Sequence, residues 1–352
     1  MSKHIVFLVH GMGNFEPGWS GGIQQQMRDL FAAYPRAAPF GQEVEYREIV
    51  YGDVFESWRE LWKKEAENAA AALKAVGLDG GVAEELVKLA GAATGDGFLK
   101  THVLDVVMYR FLLQASEEVC QSVRVQVTER LLALPDQQSI HYSVITHSLG
   151  AAVTYEAFFG MMSAKEPLRV AFRPDNVFMV ANAVVPLWNR GGTPYQPIMA
   201  PNLGYSDGWC FYLANFRHEL DPVAMLIRFQ PPPSWFTPLA PKDVVYLDQP
   251  IPAEDIQDPN VHALEHYLGH PSVHIPLLRR LSFEGAINKT EEKQALAEWR
   301  KERLVNAKLK EAKDKLGSML LAKATQSWKD EFVMLMALRK LVLSSKLKDG
   351  ES

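Results

Sequence analysis

At 352 residues the chain can bury one large core or two modest ones. Its 47% hydrophobic and 22% charged residues are the balance of an ordinary globular protein. The formal net charge is −5, and neither a nucleic-acid partner nor a cofactor is expected. Two cysteines, Cys120 and Cys210, give no disulfide framework and no metal-ligand spacing. The N-terminal apolar run, Ile5 to Val9, is too short for a signal peptide, and no run reaches the ~18 apolar residues of a membrane span. A reducing, cytoplasmic setting is the expectation.

In chain order, His4 to Val9 is a buried-type strand that ends at His10-Gly11-Met12-Gly13. A helix is predicted from about Gly22 to Ala33, then a strand from Glu43 to Tyr51. From Asp53 to about Pro135 the pattern turns helical, with Phe55, Trp58, Leu61 and Trp62 at helical spacing. An Ala/Gly-rich stretch from Ala69 to Gly97 suggests two helices, and Leu104 to Leu113 and Val119 to Leu134 suggest two more. Connections between neighbouring strands are ordinarily far shorter, so residues 53–135 read as a helical cap inserted into a sheet. Ile140 to Ile145 is the next strand, followed by a helix from Ala151 to about Met162. Asn176 to Ala183 and Trp209 to Phe216 are further strands, separated by a Pro/Gly/Tyr-rich loop from Pro186 to Gly208. Asp243 to Leu247 is a last short strand, and a helix covers roughly Ser272 to Leu281. Strand–helix alternation of this kind predicts an α/β fold, a doubly wound, mostly parallel sheet.

The chain divides at about residue 287. From Asn288 to Ser352 there are 15 Lys+Arg against 10 Asp+Glu, which leaves the body with 22 against 32. Thr290 is the expected N-cap of this basic arm. Val305, Leu309, Ala312, Leu316 and Met319, then Trp328, Phe332, Leu335, Leu338 and Val342, form two apolar helical stripes. Such an arm suits self-association, docking on the acidic body or peripheral contact with a partner or anionic surface, although a solvated helix face gives the same pattern.

The most informative stretch is Ser139 to Glu156. A strand runs into a helix through Thr146-His147-Ser148-Leu149-Gly150, the form of a nucleophile elbow, in which a strained bend lifts the central hydroxyl above the sheet. Small residues are needed beside Ser148 because strand and helix approach closely there; Gly150 meets that need, while Thr146 stands where the usual pattern has its first glycine. The glycine turn after the first strand would let backbone N–H groups reach a tetrahedral oxyanion, with those of Met12 and Leu149 as the candidates. A nucleotide-loop reading of Gly11, Gly13 and Gly18 lacks the G-x-G-x-x-G spacing and any following G-K-S/T.

Leu8-Val9-His10-Gly11-Met12-Gly13 together with Thr146-His147-Ser148-Leu149-Gly150 resembles the α/β-hydrolase superfamily, specifically its lipase- and esterase-like serine hydrolases. The resemblance spans about Lys3 to Leu281. It implies a Ser, then an Asp or Glu, then a His in chain order. Asp221, in Glu219-Leu220-Asp221-Pro222-Val223, resembles the family's acid loop; Glu219 and Asp248 are the alternatives, and a turn Asp capping a helix from Pro222 to Arg228 is compatible with either. His262, His266, His270 and His274 all follow the last strand. His262 is the expected base, with His266 the runner-up, and His270 and His274 are expected to pack or cap helices.

His262 and His266 at i, i+4 invite a metal reading, but only Glu254, Asp255 and Asp258 could complete a site, and none is expected. His10 and His147 are expected to pack or hydrogen-bond locally. The expected activity is hydrolysis of carboxylic esters through Ser148, Asp221 and His262. Apolar residues of the insertion and the long loop (Trp58, Trp62, Phe98, Met108, Leu187, Trp188, Met199) favour an apolar or lipid-like ester. Acyl transfer by the same residues, or a non-catalytic scaffold acting through the C-terminal arm, are the alternatives.

Overall fold

The computed structural model describes residues 4–301 apart from 14, 59, 62–63, 65–108, 110–112, 135–140, 164–172, 205–207, 222, 224–226 and 258–259. Six strands, β1 (His4–Val9), β2 (Val44–Ile49), β3 (Tyr142–His147), β4 (Asn176–Val180), β5 (Tyr212–His218) and β6 (Tyr246–Ile251), form one sheet in the order β2-β1-β3-β4-β5-β6. Every adjacent pair is parallel. This is a doubly wound α/β architecture, as the alternation predicts, with the sheet parallel throughout.

Both faces of the sheet are covered because its central strands are apolar at successive positions. Ile5, Phe7 and Val9 of β1 point to one layer with Val144, Val177 and Met179, where they meet α2 (Leu113–Leu132) and α3 (Leu149–Ser163). Val6 and Leu8 point to the other with Ile145, Phe178 and Val180, against α1 (Gly21–Ala32), α4 (Leu264–Gly269) and α5 (Pro271–Leu281). α3 lies within the first layer, with residues from Leu149 to Phe158 buried all round. A final helix, α6 (Lys289–Lys301), packs against α5, where Arg279 pairs with Glu292 at 2.7 Å.

Some boundaries differ from the sequence reading for identifiable reasons. The last strand is not Asp243–Leu247. Lys242–Val245 forms a helical turn and the strand runs on to Ile251 through Pro250, which β6 tolerates because it is the sheet's edge. β5 starts at Tyr212 rather than Trp209, and Trp209 is instead fully buried beside Tyr155 and Phe158. The cap of α6 is Asn288, not Thr290: its Oδ1 accepts from Thr290 and Glu291 N–H while Glu291 Oε2 accepts from Asn288 N–H, a reciprocal box.

The Ala69–Gly97 helices and both apolar stripes beyond residue 301 lie outside the described residues, as does most of Leu104 to Leu113. Among the described residues no helix is long and apolar enough to cross a membrane.

Candidate active site

All six strands point the same way, so their C-terminal ends share one edge and the connections leaving them meet there. The register puts Val9 beside Thr146, His147 beside Val180, and His218 beside Ile251. The glycine turn, Ser148, Asp221 and the connection carrying His262 are therefore neighbours in space.

Ser148 follows the last residue of β3 and precedes the first of α3, with a φ of 55° that side chains seldom adopt. Its N–H donates to Val180 O (2.9 Å) and its carbonyl accepts from Ala151 N–H (3.0 Å), so the bend is held from both sides. Tight packing explains the small residues. A methyl group on Gly150 would lie 2.1 Å from His10 O, so only glycine lets α3 come this close to the turn after β1. One on Gly11 would meet Ser148 Cβ and His147 Nδ1, each at 3.0 Å. Gly11 thus supplies across the sheet the small surface that position 146 does not; Thr146 is buried, its hydroxyl donating to Phe178 O at 3.4 Å.

Three of the predicted residues form a continuous hydrogen-bonded line. Ser148 Oγ donates to His262 Nε2 at 2.9 Å, and His262 Nδ1–H donates to Asp221 Oδ2 and Oδ1 at 2.9 and 3.0 Å. Asp221 is fully buried. Burial opposes its ionisation, but the His262 ring, the Tyr267 hydroxyl (2.7 Å to Oδ2) and the Val223 N–H (2.9 Å to Oδ1) outweigh it and hold the carboxyl below its ordinary range. A carboxylate only accepts, so the imidazole proton sits on Nδ1 and Nε2 is left to take the hydroxyl's proton. Ser148 itself is 1% exposed, whereas the His262 side chain is 24% exposed.

His266 is not in this line; it packs against Trp299 and His218 and its Nε2 accepts from Gln257 N–H. Glu219 accepts from Ala253 N–H, and Asp248 binds Asn215 and Arg217, so neither alternative acid faces the imidazole. His270 accepts from Ser272 N–H at the start of α5, and His274 bridges Tyr34 and Leu268 O. Among the described residues no group of three or more His, Cys, Asp or Glu side chains is arranged to hold a metal ion. Of the apolar side chains expected to line a pocket, Leu187, Trp188 and Met199 lie in the core, Trp58 is packed against it, and Trp62, Phe98 and Met108 lie outside the described residues.

His10 and His147 bond locally, yet both contacts are informative. His147 Nε2–H donates to the main-chain oxygen of His262 at 2.6 Å; burial, reinforced by the neighbouring His262, pushes the His147 pKa to about 3, so it stays neutral. His10 is held to about 4, again chiefly by burial.

Sequence reasoning missed Tyr267, whose hydroxyl braces Asp221 and accepts from His218 N–H at 2.8 Å; five residues after His262, it was legible only as one more aromatic on α4. It also missed the clasp on the connection that carries His262. Arg300 forks onto buried Asp255 (2.9 Å for each of two N–H···O contacts), and Trp299 Nε1 donates to Asp255 O at 2.7 Å.

At the N-terminus of α3, beside the hydroxyl, the helix leaves its first N–H groups without intrahelical partners, an environment that favours developing negative charge. A hydroxyl, an imidazole and a buried carboxylate in this order can generate an alkoxide-like nucleophile. No protein-family model matches the chain, and no curated protein matches it. Among solved structures it aligns with a cutinase-like protein from Cryptococcus sp., over 84% of this chain and 91% of that one, at 13% identity and a TM-score of 0.30.

Proposed function

We propose that the chain is a serine hydrolase that cleaves carboxylic esters. The unbroken Asp221–His262–Ser148 line, with the hydroxyl on a positive-φ bend, is the observation that carries this reading. In the first step His262 Nε2 takes the Ser148 proton as Oγ attacks the ester carbonyl. Charge collects on the carbonyl oxygen, and the N–H groups of Met12 and Leu149 are the donors we assign to it, each typically worth ~3–4 kcal/mol in the transition state. His262 then protonates the leaving alcohol and an acyl-enzyme remains. Water, deprotonated by the same nitrogen, releases the acid and restores Ser148. Asp221 keeps the imidazole in the required tautomer and stabilises the imidazolium.

An apolar acyl or alcohol group suits the half-buried Met12, Val185 and Val223, which follow β1, β4 and β5 at the edge where Ser148 lies. The division into a catalytic body to about residue 287 and a basic helical C-terminal arm from 288 belongs to the same proposal, the first helix of the arm, α6, being packed on the body.

The test is a fluorophosphonate probe followed by peptide mapping, beside turnover of p-nitrophenyl esters of graded chain length. Label on Ser148 and hydrolysis that rises with chain length are expected; an unlabelled Ser148 in folded protein defeats the reading.

A further inference from the structure

The turn that follows β1 is held by a side chain from the connection that leaves β2, the neighbouring edge strand. Tyr51, two residues beyond β2 and fully buried, shares its one hydroxyl proton between His10 O at 2.6 Å and Gly11 O at 3.1 Å. Its ring stacks on His10, with centroids 4.1 Å apart and planes 18° from parallel. Its main-chain N–H donates to His10 Nε2 at 3.3 Å. That donor fixes the His10 tautomer, because Nε2 must be unprotonated to accept; Nδ1–H then donates to the same Gly11 oxygen at 2.8 Å. Phe15 and Trp19 close the other sides of the His10 ring, at 4.5 and 5.5 Å between centroids. Two side-chain donors thus converge on the carbonyl of one glycine.

The consequence follows from the planarity of the peptide bond. The Gly11 carbonyl and the Met12 N–H belong to one rigid trans unit and point in opposite directions. Whatever grips the oxygen therefore aims the N–H. The glycine turn lies against the nucleophile: the space beside Gly11 is bounded by Ser148 Cβ, and α3 touches the His10 carbonyl across Gly150. Glycine costs little to move through φ/ψ space, so the Gly11–Met12 peptide gains alignment from side chains that hold its oxygen. Gly13 already has a φ of 124°.

We propose that Tyr51, through its hydroxyl and the His10 ring it orients, is a positioning residue that holds the Gly11–Met12 peptide with its N–H directed at the oxyanion. The inference rests on the esterase reading above and adds a residue that touches neither substrate nor the reacting atoms. Tyr51 acts before chemistry begins. It removes the rotation that would otherwise leave the donor misaligned as charge develops, and so serves the transition state rather than substrate binding.

Tyr51→Phe keeps the ring, the stack and the main-chain N–H and deletes only the hydroxyl. Complete loss of an oxyanion donor typically costs 10²–10³-fold in kcat, so loss of its alignment is expected to lower kcat by about 10- to 30-fold with KM unchanged. Affinity for a trifluoromethyl ketone, whose adduct with the serine carries the oxyanion, should fall by a similar factor. The melting temperature is measured alongside. A Y51F protein with wild-type kcat and wild-type ketone affinity overturns the proposal, whether or not its melting temperature has dropped. If Y51F does not fold, His10→Phe removes the second donor on Gly11 O while keeping a ring in the stack, and carries the same expectation and the same refutation. Failure of the underlying reading has a separate signature: wild-type protein that neither turns over esters nor labels at Ser148 removes both claims, whereas wild-type labelling with unaltered Y51F kinetics removes only this one.

Discussion

Replacing Gly150 by alanine should cripple the site while adding only one methyl group. The new Cβ would lie 2.1 Å from His10 O and 2.9 Å from Val9 O, both main-chain atoms that no rotamer change can move aside. Ordinary contact begins near 3.4 Å, so α3 and the glycine turn must separate by about 1.3 Å. Alanine inside a helix recovers about 1 kcal/mol over glycine, but overpacking of this kind costs roughly 1–3 kcal/mol, so a modest net loss of stability is expected. The kinetic effect should be larger. Displacing a catalytic group by ~1 Å can cost on the order of 10²-fold in rate, and here the turn moves relative to Ser148 itself. Gly21→Ala, at a glycine with nothing within 4 Å of its added methyl, is the control and should leave turnover intact. Urea unfolding and p-nitrophenyl ester turnover of both variants make the comparison. A G150A enzyme working at the wild-type rate would show that helix and turn are not closely apposed and would refute the argument.

Asp221→Asn should lower kcat by about 10³–10⁴-fold with little change in KM. The Val223 N–H keeps an oxygen at the Oδ1 position, which puts the amide nitrogen at the Oδ2 position, the nearer of the two that face His262 Nδ1, where it donates to the ring and favours the wrong tautomer; activity near wild type would show that Asp221 does not set it. Folding stability should fall between pH 7 and pH 5. Burial depresses the pKa of His4, His10, His147, His218, His270 and His274 to about 3 or 4, so below 6.5 the unfolded chain gains protons that the folded chain refuses. Among the described residues only the carboxyls of buried Glu156 and half-buried Asp175 are raised so as to act in the opposite sense, and six against two decides the sign. Each such histidine contributes up to ~1.4 kcal/mol per pH unit; urea midpoints that hold constant or rise from pH 7 to 5 would contradict this.

Much of the fold was legible because its signals are local. Apolar runs mark the central strands, and Ser148, Asp221 and His262 each follow a strand of the one parallel sheet, so chain order alone nearly places them together. That His262 rather than His266 reaches Ser148 also follows from local grammar, since His262 comes just after Asp258-Pro259-Asn260, in the loop or first turn before α4. What stayed hidden depends on contacts distant in sequence. Nothing near Thr146 reveals that Gly11 supplies the missing space, and nothing near Tyr51 reveals that its hydroxyl reaches two carbonyls 40 and 41 residues away. The true extent of β6 was obscured by Pro250, a residue whose meaning changes once the strand is known to lie at an edge. Leu187, Trp188 and Met199 misled as pocket lining for a related reason: they are apolar because they are core.

The hydroxyl and the imidazole are 114 residues apart in the chain, and the Arg300–Asp255 clasp behind the imidazole closes a further loop of 45. Parallel neighbours cannot be joined by a hairpin, so every one of these approaches waits on a long crossover and the entropy of closing it. A chain in which α6 has not yet docked lacks the clasp on Asp255, in the connection that carries His262. Recovery of ester turnover after dilution from denaturant should therefore lag behind recovery of helical signal, and the interval between them times the closing of the last crossover.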